Sequence, residues 1–134
     1  MDVIELTKEF IKFKSISVES NLEIANLLEN KLKELDFRVE RIEYRDDKNV
    51  LKINLVAVKG PEKRESGIAF LGHMDTVPAK DWESDPFEPR VENVRIYGRG
   101  SCDMKGGLAS ILVTSSRYES SELQSPLFVF LTSD

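Results

Sequence analysis

Cysteine is almost missing from this chain. With Cys102 alone, no intrachain disulfide can form, a usage that suits a reducing cytoplasm. Long apolar runs are missing too, and no segment has the length and hydropathy of a membrane span. Met1 to Phe13 mixes charges with apolar residues and lacks both the basic start and the apolar stretch of a signal peptide. There is no Lys/Arg-rich run to track a phosphate backbone, and 24 acidic against 19 basic residues leave a net charge of -5. Neither nucleic acid nor a membrane is expected as a partner. Internal repeats and low-complexity stretches are absent. The 134 residues fit one compact domain with a sizeable core.

Histidine is equally scarce, and its placement organises the reading. Gly67 to Pro78 reads Gly-Ile-Ala-Phe-Leu-Gly-His-Met-Asp-Thr-Val-Pro. Ile68 to Leu71 is the uninterrupted apolar segment of a strand buried on both faces, and Gly72 lets the backbone leave the sheet before His73, the only histidine. In open α/β sheets the carboxyl end of a central strand is where loops diverge and ligands bind. If the extended geometry continues through Met74, His73 and Asp75 project to the same side. A metal-binding imidazole gives one nitrogen to the ion and donates its other N–H to a carboxylate, which makes His73 a candidate ligand and Asp75 its orienter. The simpler alternative is a histidine that ends a strand, followed by an ordinary turn aspartate.

Around this stretch the pattern is mixed. Asp2 with Glu5 marks the start of a first helix over about Val3 to Lys14, burying Ile4, Phe10, Ile11 and Phe13. Ser20 with Glu23 has capping-box spacing, and Ile24, Leu27, Leu28, Leu32 and Leu35 predict a second amphipathic helix over Asn21 to Leu35. Ser15 to Glu19 is a short polar connection. Residues 37–42 and 51–58, separated by the charged turn Arg45 to Lys48, read as an edge hairpin. Gly60 to Gly67 is a charged loop. The segment from Asp81 to Pro89 is a stiff, packed surface loop in which Trp82 is a structural plug or a substrate wall. Val91 to Tyr97 suggests another short hairpin.

A second polar cluster follows. Gly98 to Gly107 reads Gly-Arg-Gly-Ser-Cys-Asp-Met-Lys-Gly-Gly, and Met104, Leu108, Ile111, Leu112 and Ser115 continue it as an amphipathic helix. Asp103 is therefore either an N-cap carboxylate or a cation ligand. The spacing matches neither glycine-rich phosphate motif, and a carboxylate in the turn repels phosphate. Gly106 and Gly107 cost a helix about 1 kcal/mol each relative to alanine, which suggests close backbone packing there. Leu127 to Leu131 is a second continuous apolar run, and if it is parallel to the Ile68 strand its tip at Thr132 to Asp134 faces the same crevice as His73.

The segments Gly72 to Pro78, Trp82 to Phe87, Tyr97 to Gly100 and Cys102 to Gly107 closely resemble the dinuclear zinc amidohydrolases and peptidases typified by acetylornithine deacetylase, succinyl-diaminopimelate desuccinylase and aminoacylase. The resemblance runs in order along essentially the whole chain, and the pattern around Asp103 is nearest to acetylornithine deacetylase-like enzymes. It implies an α/β fold: the amino-terminal part (residues 1–134) of a three-layer α/β/α catalytic domain with a mixed, mostly parallel sheet. The strands at Ile68 and Leu127 would be central, with helices on both faces. It further implies two zinc or cobalt ions, with His73 as a metal ligand, Asp75 as the catalytic-site residue orienting its ring, and Asp103 bridging two metals about 3.5 to 4 Å apart. The peptide after the bridging aspartate is expected to be cis.

By the same resemblance, two glutamates, a general base and a metal ligand, follow a segment like Thr132 to Asp134. The chain stops before them and before the lid or dimerisation domain of these often homodimeric enzymes. The implied function is hydrolysis of small N-acyl amino acids in the cytoplasm, with this chain alone inactive and holding zinc weakly because a catalytic zinc takes three protein ligands. The alternative is a metal-free, non-catalytic remnant that binds a partner.

Overall fold

A computed structural model describes residues 1–62, 66–80 and 82–133. Lys63, Arg64 and Glu65 of the expected charged loop, Asp81 of the expected packed loop, and Asp134 of the expected strand tip lie outside the described residues. The chain forms α1 (Val3–Ile11), α2 (Leu22–Glu34), β1 (Arg38–Arg45), β2 (Leu51–Lys59), β3 (Ile68–His73), β4 (Arg90–Glu92), β5 (Arg95–Tyr97), α3 (Gly106–Ser115) and β6 (Leu127–Thr132), with a single wide turn at Ser101–Lys105 leading into α3. The main sheet has the order β1-β2-β6-β3, and β4 and β5 form the separate small hairpin expected of that segment.

Both amino-terminal helices form where their apolar spacing puts them. The Asp2 carboxylate accepts from the Ile4 and Glu5 amides at 2.9 and 3.0 Å, satisfying two of the donors a helix start leaves open. α1 ends at Ile11, short of Lys14, and its buried side is Leu6, Thr7, Phe10 and Ile11, with Ile4 exposed. α2 buries Ile24, Leu28 and Leu32 as its spacing predicts, together with Ala25, while Leu27 and Leu35 are only partly buried against the core. Its start differs: the N-cap is Asn21, which makes no side-chain cap bond. The Asn21 amide is engaged elsewhere, donating to the Ile53 carbonyl at 2.8 Å and accepting from the Ile53 amide at 2.9 Å. A buried side chain thus stands in for a neighbouring strand at that point of β2.

The sheet is mixed. β1 and β2 form the expected edge hairpin, β2 pairs with β6 antiparallel, and β6 pairs with β3 in parallel, so among the described strands of the main sheet one pairing of the three is parallel. Ile53, Leu55 and Ala57 of β2 and Leu127, Val129 and Leu131 of β6 alternate onto one face. That face joins Phe10, Leu28, Leu32, Leu108 and Leu112 from the three helices in a single core. On the opposite face Val56, Val58, Phe128 and Phe130 stay half-buried, with Phe128 and Phe130 rings stacked at 6.2 Å. Among the described residues the helices cover one face, so the third layer is not among them.

The Ile68 strand is not central. Among the described residues β3 lies at the sheet edge with β6 as its one neighbour, and Ile68 and Leu71 are 64% and 70% exposed. A continuous apolar run records what a strand can bury; it does not specify what lies beside it. β6, the other continuous run, does occupy the interior position. Gly72 also differs in its use, since β3 runs on through His73. A Cβ at Gly72 would lie 2.8 Å from Leu108 Cδ2 and 3.0 Å from Met104 Cε. Glycine here admits α3 and the turn before it to close range.

Among the described residues three lysines are buried: Lys52, Lys59 and Lys105. Each donates to main-chain carbonyls. Lys52 reaches the carbonyls of Ser17 and, at 3.1 Å, Glu19, Lys59 reaches that of Ser115 at the end of α3, and Lys105 reaches that of Phe13 at 2.6 Å. Burial lowers the Lys105 ammonium from 10.5 to about 8. Because the folded value lies below the unfolded one, the unfolded chain holds the extra proton between about pH 8 and 10.5, so stability rises with pH across that window. Lys105→Met removes the titrating group. Chemical denaturation of both proteins is expected to show the wild type gaining on Lys105→Met between pH 7 and 10, by at most about 3 kcal/mol; a pH-independent difference would contradict the assignment.

Candidate metal site

The site lies where β3 and β6 end side by side. His73 pairs with Thr132 across the parallel ladder, and the Met74 amide donates to the Thr132 carbonyl at 2.8 Å. α3 supplies the opposite wall. A helix returning between parallel strands runs antiparallel to them, so its start meets the strand tips, and the turn before it carries Asp103 to His73. Nε2 of His73 and Oδ1 of Asp103 are 2.9 Å apart.

Asp103 is not the helix cap. Its φ and ψ of -129° and 100° are extended, Met104 is also non-helical, and α3 begins at Gly106 with Lys105 in the cap position. The Asp103–Met104 peptide is cis, as the resemblance implied. This turn points the carboxylate away from the helix amides and toward the imidazole. Behind it a Cβ on Gly106 would lie 2.5 Å from the Ser101 carbonyl oxygen, the close backbone packing that the glycine pair suggested.

Asp75 sits beside the ring as predicted, but a different oxygen makes the bond. His73 Nδ1 donates to the Asp75 main-chain carbonyl at 2.9 Å, whereas the carboxylate Oδ1 stands 3.7 Å from Nδ1. Asp75 is 3% exposed, and its Oδ1 has no hydrogen-bond partner. β3 ends at His73, so the chain turns at Met74 and places the next carbonyl, ahead of the carboxylate, against the imidazole. The carboxylate, expected to orient the ring, stays beside it at ion-pair distance while the main-chain carbonyl makes the hydrogen bond.

Both ring nitrogens therefore face oxygen acceptors. With Asp103 ionised, only the doubly protonated ring satisfies both. Burial opposes that charge, but the Asp103 hydrogen bond, the Asp75 carbonyl and the two carboxylate charges outweigh it, and the His73 pKa is raised. The same geometry suits a cation. A divalent ion in place of the Nε2 proton keeps the positive charge beside Asp103 while Nδ1–H stays on its carbonyl, the usual arrangement of a metal-binding histidine. With bonds of about 2.0 to 2.2 Å and tetrahedral angles, two donors stand about 3.4 Å apart. Asp103, whose side chain is 84% exposed, can rotate by the fraction of an ångström required. The buried, unpartnered Asp75 oxygen is a further acceptor within a small rotation of the ring. No group of three or more His, Cys, Asp or Glu placed to hold a metal ion occurs among the described residues.

Trp82 is no plug. It is 40% exposed, with the Arg99 guanidinium 5.0 Å from its ring centroid, and the Arg99 amide donates to the Pro86 carbonyl at 2.6 Å. Arg99 thereby ties the proline-rich loop to the glycine turn. Residues the sequence pattern did not single out are Ser15 and Lys105, which bond the segments flanking the site. Lys105 reads as one more surface charge, and only its place between Asp103 and two glycines hints otherwise.

The sequence profile of Peptidase family M20/M25/M40 matches residues 69–134, the span holding His73, Asp75 and Asp103. A succinyl-diaminopimelate desuccinylase of Wolbachia sp. subsp. Brugia malayi is 39% identical over 117 residues, covering 84% of this chain and 28% of that enzyme. Among solved structures, an M20 family metallo-carboxypeptidase from Sulfolobus solfataricus superposes with a TM-score of 0.79 at 26% identity over 99% of this chain and 31% of that one. Human carnosine dipeptidase 1 gives 0.87 at 20% identity, covering 98% and 31%. The chain thus spans about a third or less of these relatives' length, and the last of them attests the fold alone.

The chain's single histidine makes the contact measurable. Asp103→Asn is expected to lower the His73 titration midpoint, followed by NMR of the ring protons, toward the ordinary imidazole value of about 6.5. An unchanged midpoint would show that the carboxylate does not reach the ring in solution.

Proposed function

Because the chain belongs to Peptidase family M20/M25/M40, we propose that it is part of a metal-dependent hydrolase that cleaves the amide of small N-acyl amino acids, as acetylornithine deacetylase or succinyl-diaminopimelate desuccinylase does. The observation that carries this is the approach of the only imidazole to an exposed carboxylate, 2.9 Å apart, at the shared tip of two parallel strands. His73 and Asp103 would hold the metal, zinc or cobalt, with Asp103 serving as a donor to both ions if two are bound. The metal would supply Lewis acidity toward the amide carbonyl.

The chain's own residues have defined tasks in this reading. His73 gives up its Nε2 proton when it becomes a ligand, so metal affinity rises with pH through the raised His73 midpoint. The Asp75 carbonyl retains Nδ1–H and fixes the tautomer. Asp103 is open to solvent and free to turn toward a ligand. Two donors leave most of an ion's coordination to water, so this chain by itself holds zinc weakly and does not turn over. Turnover belongs to a polypeptide of the relatives' length that carries this segment. We further assign it to the cytoplasm, consistent with its single cysteine.

A second reading, a metal-free domain that binds a partner, draws on the half-buried sheet face of Val56, Val58, Phe128 and Phe130. Calorimetric zinc titration separates the two. Weak binding lost in both His73→Ala and Asp103→Ala is expected, with no hydrolysis of N-acetylornithine or N-succinyl-diaminopimelate. Absence of any zinc binding would favour the second reading. Tight stoichiometric zinc with turnover abolished by His73→Ala would instead make this chain a complete enzyme.

A further inference from the structure

Residues 13–17, between α1 and α2, provide no metal donor, yet both arms of the site are tied to them. On the His73 arm, Ser15 Oγ donates to the Met74 carbonyl at 2.8 Å. The Thr76 amide donates to the Ser15 carbonyl at 2.7 Å, and the Ser17 amide donates to the Thr76 carbonyl at 2.9 Å. On the Asp103 arm, Lys105 Nζ donates to the Phe13 carbonyl at 2.6 Å from a side chain with no exposed surface. The arms also press on each other. A Cβ at Gly100, whose φ is +83°, would lie 2.7 Å from Thr76 Cγ2 and 3.1 Å from Lys105 Cδ, so only glycine leaves room for this junction.

Asp103 needs such support, because its side chain is 84% exposed and its turn is neither helical nor capped by a side chain. Burying an ammonium is costly, and methionine would fill the same space without that cost. What lysine adds is a directional bond from the segment of Asp103 to the residue that leads into Ser15. We propose that residues 13–17 form a clasp that sets the separation between His73 and Asp103, with Lys105 and Ser15 as its positioning residues. This rests on reading the two side chains as metal donors, and it identifies what holds them within range of one ion.

The test uses the lone histidine of the 134-residue chain. Imidazole 15N shifts at fixed pH, recorded without metal, report the Nε2 contact, with Asp103→Ala as the standard for its loss; zinc affinity is measured in parallel by calorimetry. In Lys105→Met the ring shifts are expected to move toward those of Asp103→Ala and the zinc Kd to rise about 10-fold, the scale seen when groups behind a ligand are lost. Ser15→Ala is expected to move both in the same direction by less. Lys105→Gln, which keeps an N–H donor for the Phe13 carbonyl, is expected to recover part of both effects, as a mere loss of packing would not. Wild-type shifts and affinity in folded Lys105→Met overturn the clasp. If that variant does not fold, wild-type values in Ser15→Ala overturn it. A wild-type chain that binds no zinc but whose ring shifts follow the pattern sinks the metal reading and leaves the clasp standing.

Discussion

The parallel pairing of β3 with β6 is the constraint on which the rest of the structure depends. Parallel neighbours cannot be joined by a tight turn, so the chain leaves the tip of β3, crosses over, and returns to the start of β6. The crossover contains the proline-rich loop, the β4-β5 hairpin, the glycine turn and α3. Since α3 must travel back along the strands, its beginning lies at their carboxyl ends. His73 at the end of a strand and Asp103 ahead of the helix are brought together by that direction of travel, although 30 residues separate them.

Main-chain carbonyls do much of the polar work here. Three buried lysines donate to them, Asn21 pairs with the main chain of Ile53, and the imidazole rests on the carbonyl of Asp75. Loops that would otherwise bury unpaired acceptors can therefore lie against the core, because an orphaned carbonyl costs about as much as a lost hydrogen bond. The connection between α1 and α2 illustrates this: it is short and polar, yet Phe13, Ser15, Ser17 and Glu19 all accept bonds from elsewhere in the fold. The loop backbone at the site is thus bonded by side chains distant in the sequence.

The exposed parts of the sheet follow a different logic. β1 alternates Arg38, Glu40, Arg41, Glu43 and Arg45 along its edge, charges that discourage pairing with another strand. β3, at the other edge, offers Ile-Ala-Phe-Leu-Gly without a charge until His73 at its end. The sheet face away from the helices is likewise apolar, with Val56, Val58, Phe128 and Phe130 half-buried. These surfaces are sticky by composition, as expected of a chain that spans under a third of the relatives it resembles.

By itself the sequence determined the elements and the chemistry available to them. Helical spacing placed Leu28 and Leu32 in the core, Asp2 marked the start of α1, two apolar runs marked β3 and β6, and the motifs around His73 and Asp103 named the family. Such features are local, written within a few residues of one another, and they survive translation into structure because propensity and patterning act over that range. Tertiary structure alone decided the rest. It put β3 at an edge, turned Asp103 from a cap into a partner of His73, gave the imidazole the carbonyl of Asp75 in preference to its carboxylate, and drew Asn21 and Lys105 inward. Those outcomes depend on which backbone groups meet across the fold, and the local sequence pattern does not specify a hydrogen bond of 2.6 Å between residues 92 positions apart.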